Sequence, residues 1–212
     1  LFAQSAMLAA ATNSPRVVGI FASTLADICD GQLREMFFAH RVDQSREEYE
    51  RRIFGKTASL FAGSAEMGAI LGYAPETAVQ ALRQYGSDVG MAFQIVDDVL
   101  DLREGASQLG KPASQDLAQG TVTLPTIIYA SGLTEGSEAA TRLDAVVSGE
   151  IVEPSEVDRV VEEIRGSGAL EAAMEEAIRF ATRSKTHVAA ASDPETRDML
   201  EQIADIVCER SA

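Results

Sequence analysis

Three aspartates stand inside one of the most apolar stretches of the chain, GMAFQIVDDVLDL at residues 90–102. At about 100° per residue of α-helix, Gln94, Asp97, Asp98 and Asp101 share an arc of roughly 100°. Phenylalanine, isoleucine, valine and leucine side chains occupy the positions around that arc. The four polar residues therefore form a narrow stripe along an otherwise apolar helix.

The stripe of carboxylates has a chemical consequence. Carboxylates buried side by side repel one another, and their pKa values rise unless a cation neutralises them. Mg²⁺ suits this role, because it binds to one or two carboxylates and completes its shell with water and phosphate oxygens. The pattern predicts Asp97, Asp98 and Asp101 as Mg²⁺ ligands beside a diphosphate. The alternative is a narrow polar face in bulk water.

Two lysines and a glycine could complete such a site. Lys111 follows glycines in QLGKPASQD that let the backbone return toward the acids, and a lysine there can act as a point charge on phosphate. Lys56 lies mid-helix in FGKTASL, where a lysine that extends to the edge of a helix bundle is the alternative. Gly90 lies on the stripe one turn before Gln94, which leaves room either for a ligand or for close helix packing.

Composition and charge limit the class of protein. The 212 residues are 46% hydrophobic and 24% charged, which is enough to bury the core of a single domain over residues 1–212. The 33 acidic residues outnumber the 18 basic ones, and without a basic cluster no nucleic-acid partner is expected. With no long apolar run and no leader pattern, we expect a cytoplasmic protein without a membrane span. Cys29 and Cys208 are expected to be reduced and packed.

Helical patterns run through almost the whole chain, so the predicted fold class is all-α, a bundle of long helices. Ser14 and Pro15 form one helix start, and Ser45 with Glu48 forms a capping box at another. Residues 103–121 are predicted to be a loop, too long for a simple connector. The predicted helices cover about 15–40, 45–72, 76–102, a short one from 124, 136–148, 155–165, 168–191 and 195–210.

Four segments, in order along the chain, resemble motifs of the trans-isoprenyl diphosphate synthases, or polyprenyl synthetases. FQIVDDVLDL resembles the family's second aspartate-rich motif, and GKPASQDLAQGTVTLP is similar to the segment that follows it. IFGKTASLF resembles the family's lysine-threonine helix, and ICDGQLREM its Gly-Gln helix. The resemblance extends from LFAQSAMLAAA to VCERSA and so covers essentially the whole chain.

The resemblance implies an isoprenoid synthase-type helical bundle around a deep central cavity. It implies that Mg²⁺ holds an allylic diphosphate, which ionises and condenses with isopentenyl diphosphate to give a longer chain. It also implies a homodimer formed through the first helices. By the resemblance, the metal ligands are Asp97, Asp98 and Asp101, and the lysines that bind the diphosphate are Lys56 and Lys111. The polar supports are Thr57, Gln94 and Gln32. Gln32 is alternatively a helix-surface glutamine.

The sequence departs from the family pattern in its first part. The first aspartate-rich motif and its flanking basic residues are absent, so this chain alone is not expected to catalyse elongation. Because LFAQSAMLAAA begins without Met and without an N-cap residue, we expect that amino-terminal helices of a longer enzyme are missing here, or that a second chain supplies them. Thr121 stands where many relatives carry a lysine, and many relatives carry a glycine near Ser114.

Two other functions fit parts of the pattern. A non-catalytic or half-site subunit of a heteromeric prenyl synthase would share the fold, but such subunits tend to lose the metal-binding acids that this chain keeps. A class I terpene cyclase would share the fold and the metal chemistry. Its second motif usually carries spaced Ser or Thr and Glu, where this chain has Val99, Leu100 and Asp101. Chain elongation is therefore the preferred hypothesis.

Overall fold

Helices make up the regular structure of residues 1–104, 114–189 and 193–209, which a computed structural model of the chain describes. No strand occurs in those ranges, and the predicted all-α class is confirmed. The elements are α1 (Phe2–Ala11), α2 (Pro15–Phe38), α3 (Arg46–Ile53), a π-helical turn (Phe54–Ala58), α4 (Ser59–Leu71), α5 (Glu76–Glu104), α6 (Gln115–Ala118), α7 (Leu124–Ser131), α8 (Glu138–Val147), α9 (Pro154–Gly166), α10 (Ala169–Val188) and α11 (Pro194–Glu209).

The capping residues that predicted the helix starts make the expected hydrogen bonds. The Ser14 hydroxyl accepts from the Val17 N–H, and the Ser45 hydroxyl accepts from the Glu48 N–H. The prediction of a loop over residues 103–121 is wrong in part, because α6 lies within it. The Ser114 hydroxyl caps that short helix, and no apolar periodicity could have predicted a helix of four residues.

The prediction of one regular helix over residues 45–72 is wrong at its centre. Residues Phe54–Ala58 form a π-helical turn between α3 and α4, where the backbone lies against α2. A Cβ atom on Gly31 would lie 2.2 Å from the backbone nitrogen of Lys56, and one on Gly55 would lie 2.8 Å from the Asp27 carbonyl oxygen. Two facing glycines thus allow the close approach. Inserted π turns of this kind are frequent at functional sites.

Helix α5 is the centre of the bundle and packs along both α4 and α10. Its Ile95, Val96 and Val99 side chains are buried in the main hydrophobic core. A Cβ atom on Gly90 would lie 2.6 Å from the Ala58 Cα atom, so this glycine serves close helix packing. The alternative of ligand space at Gly90 is therefore wrong.

Two further expectations concern the cysteines and the membrane. Cys29 is exposed on α2, so the expectation that both thiols are packed is wrong for this residue. Its position on the apolar outer side of α2, rather than the core side, could not be assigned from sequence. Within the described ranges, no helix combines the length and the apolar character that crossing a bilayer requires.

Candidate active site

A chain of side-chain hydrogen bonds connects α5 to α3 and to the π turn. The Thr57 hydroxyl donates to Gln94 Oε1 at 2.7 Å, and Gln94 Nε2 donates to Asp98 Oδ1 at 2.8 Å. The Tyr49 hydroxyl donates to Asp98 Oδ2 at 2.7 Å. The structure therefore joins three of the predicted site residues through direct contacts and adds Tyr49, which the sequence did not single out.

The three aspartates of the stripe occupy different environments. Asp98 is only 4% exposed, and burial raises its pKa to about 7 against the opposing effect of hydrogen bonds from Gln94 and Tyr49. Asp97 is exposed and Asp101 is half-buried. Asp98 is the least accessible of the three to a metal ion, because it is buried and its oxygens accept hydrogen bonds from Gln94 and Tyr49.

Asp101 attaches the short helix α6 to α5. Its Oδ2 accepts from the Ser114 hydroxyl at 2.5 Å, and its oxygens accept from the Gln115 and Asp116 N–H groups at 3.3 Å. Ser114 also accepts from the Leu117 N–H, so this residue both caps α6 and contacts the aspartate motif. The departure at Ser114 is thus compatible with the site.

Asp116 is an acidic residue of the site that sequence reasoning missed. Burial raises its pKa to about 6, and the negative charges of Asp101, Glu35 and Asp97 contribute in the same direction while Lys56 opposes them. The residues that act on the pKa of Asp116 lie on α2, the π turn and α5, so these elements and α6 surround one acidic region. Asp116 lies in the segment that resembles the family motif, but an acid in the first turn of a capped helix has an ordinary explanation.

Lys56 makes an ion pair across the site. Its Nζ atom lies 2.8 and 2.7 Å from the two carboxylate oxygens of Glu35 on α2, and its side chain is 41% exposed. Gln32 Nε2 donates to Glu35 Oε1 at 3.3 Å from an exposed position, so both explanations of Gln32 stay open. Lys111 lies outside the described residues, and its role stays a prediction.

The acidic region has the donor chemistry of a Mg²⁺ site. The described residues contain no ready-made group of three or more acidic, histidine or cysteine side chains around a metal position. Mg²⁺ nevertheless commonly binds to one or two protein carboxylates and takes its remaining ligands from water and phosphate. Asp97, Asp101 and Asp116 could supply those carboxylates, since Asp101 accepts a hydrogen bond from the Asp116 N–H and the charges of Asp97 and Asp101 raise the pKa of Asp116. Mg²⁺ binding itself stays a prediction.

Comparison with known proteins decides the family. A family model described as polyprenyl synthetase matches residues 1–164. The chain belongs to the polyprenyl synthetase family. This polyprenyl synthetase chain is 38% identical over 171 residues to heptaprenyl diphosphate synthase component 2 of Geobacillus stearothermophilus, an alignment that covers 81% of this chain and 52% of that protein. The chain thus spans about half the length of this curated relative.

Solved structures agree with the family assignment. The polyprenyl synthetase chain superimposes on a decaprenyl diphosphate synthase from Rhodobacter capsulatus with a TM-score of 0.91 and 33% identity, over 100% of this chain and 64% of that one. A polyprenyl synthase from Caulobacter crescentus, solved with calcium and isoprenyl diphosphate, gives a TM-score of 0.91 and 32% identity over 100% and 64% of the two chains. The fold is that of these enzymes.

The buried Asp98 should make the stability of the protein depend on pH. Its folded pKa of about 7 lies above the unfolded value, so the folded state holds a proton that the unfolded state loses. Stability from this group is therefore present at about pH 4 and is lost as the pH rises through 7. Asp98→Asn mimics the protonated acid. The parent protein should lose up to about 4 kcal/mol of its free energy of unfolding through Asp98 as the pH rises from about 4 to above 7, and the variant should not show this loss.

Urea unfolding of the full-length protein in EDTA, at pH values from 5 to 8, measures this effect. The variant should gain stability over the parent protein as the pH rises, with the smallest difference at pH 5. Asp144→Asn, at an exposed position on α8, is the control and should retain the parent's pH dependence. Parallel curves for the parent protein and Asp98→Asn would show that Asp98 does not titrate in this range.

Proposed function

We propose that this chain is the part of a Mg²⁺-dependent prenyltransferase that carries the second aspartate-rich motif. The enzyme condenses isopentenyl diphosphate with an allylic diphosphate. One observation carries the proposal: Lys56, Thr57, Gln94, Asp101 and helix α6 lie around one acidic region. Thr57 bonds to Gln94, α6 bonds to Asp101, and the charge of Lys56 acts on the pKa of Asp116 in α6. Family membership supports this chemistry. The calcium and isoprenyl diphosphate of the Caulobacter crescentus structure support a divalent cation and a diphosphate as the ligands.

Each part of the site has a role in this reaction. Lys56 would exchange Glu35 for the diphosphate and stabilise the negative charge of the leaving group, together with Lys111. Asp97, Asp101 and Asp116 would hold Mg²⁺, which when bound supplies Lewis-acid assistance to loss of the diphosphate.

The Thr57–Gln94 pair would support the allylic cation. Gln94 Oε1 lies 2.7 Å from the Thr57 hydroxyl oxygen, so two electronegative atoms are held together next to the acidic stripe. Their dipoles are fixed by hydrogen bonds before the reaction starts, which is the condition for electrostatic stabilisation of a developing charge. We therefore assign Thr57 and Gln94 to stabilisation of the carbocation rather than to metal binding.

The first two helices have the properties of a homodimer interface. Apolar side chains on their outer sides are largely exposed, and on α2 they recur at helical spacing. They are Phe2, Met7 and Leu8 on α1, and Val18, Leu33 and Met36 on α2. Apolar patches of this kind on a protein surface mark interaction sites. A second copy of the chain, related by a two-fold axis, would cover them.

A heteromeric synthase is the second candidate. The Geobacillus stearothermophilus relative is named component 2 of its synthase, a name that implies at least one further component. The terpene cyclase hypothesis has no comparable support, because the relatives compared above are prenyl diphosphate synthases. Elongation by a homodimer and elongation by a heteromer therefore differ in whether a second gene product is required.

Elongation assays on the full-length protein test the proposal. The purified protein is incubated with isopentenyl diphosphate, allylic diphosphates of increasing length and Mg²⁺, and the products are separated by chain length. We expect longer polyprenyl diphosphates, no product in EDTA, and a dimeric mass by light scattering. Product only after addition of a second polypeptide would support the heteromer. No product under either condition, from a folded protein, would refute the proposed function.

A further inference from the structure

Tyr49 is a fully buried residue of α3 that contacts the candidate site through Asp98. It is 0% exposed, and its hydroxyl donates to Asp98 Oδ2 at 2.7 Å. Its ring lies beneath the Arg52 guanidinium, 5.4 Å from ring centroid to Cζ. The proposed reaction assigns no role to Tyr49, although a buried hydroxyl bonded to a carboxylate makes one of the stronger hydrogen bonds in proteins.

The π turn brings Tyr49 and Thr57 onto the same side of the helix. In a regular α-helix, eight residues would separate the two side chains by about 80° around the axis. A π turn closes its hydrogen bonds one residue later and so adds about one residue to the turn, which reduces the separation to roughly 20°. Both residues therefore reach α5, where their partners Asp98 and Gln94 lie one turn apart.

Arg52 contacts the Tyr49 ring and is itself fixed by hydrogen bonds. Arg52 is 3% exposed, and its terminal nitrogens donate to Gln44 Oε1 at 3.0 Å and to the Val122 carbonyl oxygen at 2.6 Å. These bonds tie Arg52 to the segments that follow α2 and α6. The Tyr49 ring is thus held between a fixed guanidinium and α5, with little freedom to move its hydroxyl away from Asp98.

The amide of Gln94 is oriented by this arrangement. The ionised carboxylate of Asp98 can only accept, so Oδ1 selects the Nε2 end of the amide and leaves Oε1 directed to Thr57. If Asp98 rotated, the amide could reverse and present its N–H groups to the position of the developing cation. The dipole of Gln94 would then have the wrong sign for the proposed reaction.

We propose that Tyr49 is a positioning residue, which fixes Asp98 and through it the orientation of Gln94 and Thr57. The proposal rests on the elongation activity proposed above. It assigns Asp98 to the support of Gln94 rather than to the metal. Arg52 belongs to the same support, because it holds the tyrosine ring in place.

Tyr49→Phe in the full-length protein tests this assignment, since phenylalanine keeps the ring and removes only the hydroxyl. We expect kcat to fall by roughly 10- to 100-fold, with KM for both diphosphates within about twofold of the parent value. Tyr85→Phe is the matched control. Its hydroxyl is also partly buried and donates to the Leu200 carbonyl oxygen on α11, away from the site, so its loss should leave kcat unchanged.

A double-mutant cycle separates positioning from a general structural effect. If Tyr49 acts through Gln94, then Tyr49→Phe should have little further effect on kcat in a Gln94→Leu background. Additive losses, or a loss in Tyr49→Phe no larger than that in Tyr85→Phe, would overturn the proposal. Absence of activity in the parent protein would instead count against the proposed function.

A measurement without turnover decides the structural claim in either case. The side-chain amide of Gln94 can be identified by NMR from the resonance pair missing in Gln94→Leu. Its hydrogen exchange should be slow in the parent protein and in Tyr85→Phe, and at least about 10-fold faster in Tyr49→Phe. Equal exchange in the parent and Tyr49→Phe would show that Tyr49 does not hold the amide and would overturn the assignment.

Discussion

Asp97→Ala in the full-length protein should reduce Mg²⁺-dependent elongation by at least about 10³-fold in kcat. Asp97 is the exposed acid of the stripe and contributes to the negative potential at Asp116, so it is the side chain best able to bind a metal with a diphosphate. Because the residue is exposed, its truncation should leave the free energy of unfolding within about 0.5 kcal/mol.

Elongation rates measured over a range of Mg²⁺ concentrations test this expectation. A remaining activity that requires more Mg²⁺ than the parent protein would identify Asp97 as a metal ligand. Asp144→Ala removes an exposed aspartate from α8 and serves as the control for lost charge. Normal activity in Asp97→Ala, with normal assembly, would point to a scaffold role for this chain.

Gly31→Ala should have the largest effect on stability and on the geometry of the site. The added Cβ atom would lie 2.2 Å from the Lys56 nitrogen, 2.7 Å from the Gly55 carbonyl carbon and 2.9 Å from the Arg52 carbonyl oxygen. These are backbone atoms and cannot rotate away. We expect the variant to lose about 3 kcal/mol or more, at the upper end of the cost of overpacking, and to displace the π turn that carries Lys56.

Thermal unfolding and elongation assays check this prediction together. A loss of about 3 kcal/mol corresponds to roughly 6–12 °C in Tm for a chain of this size. Gly19→Ala, on the same helix α2, is the matched control because no described atom lies within 4 Å of its added Cβ. It should be neutral or gain up to about 1 kcal/mol from helix propensity. Equal Tm values for the two variants would contradict close packing at Gly31.

The helices were predictable because their determinants are local. Ser14, Ser45 and the apolar periodicity act within a few residues, and the predicted ends lie within a few residues of the observed ones. The π turn was not predictable, because it depends on Gly31 of α2 and Gly55 of the turn itself facing each other, a tertiary contact that no local pattern encodes. A glycine in a helical pattern does not reveal which backbone it will meet.

The site was predictable in its members and only partly in its arrangement. Helical spacing placed Gln94 beside Asp98, and the family resemblance added Thr57. Helical spacing could not show that Asp98 is the buried acid, since that depends on Tyr49 reaching it from α3. Tyr49 and Asp98 are 49 residues apart in the sequence, and only the tertiary fold brings them into contact.

The ion pair between Lys56 and Glu35 bears on product release as well as on anion binding. A carboxylate tethered 2.7 Å from the ammonium group is a built-in competitor at high effective concentration for any anion that binds to Lys56. The pair is 41% and 22% exposed, so breaking it costs only about 1 kcal/mol or less. If Lys56 binds the diphosphate as we propose, Glu35 would re-form the pair as inorganic diphosphate departs. The lysine would then exchange one anion for another in each cycle without remaining unpaired.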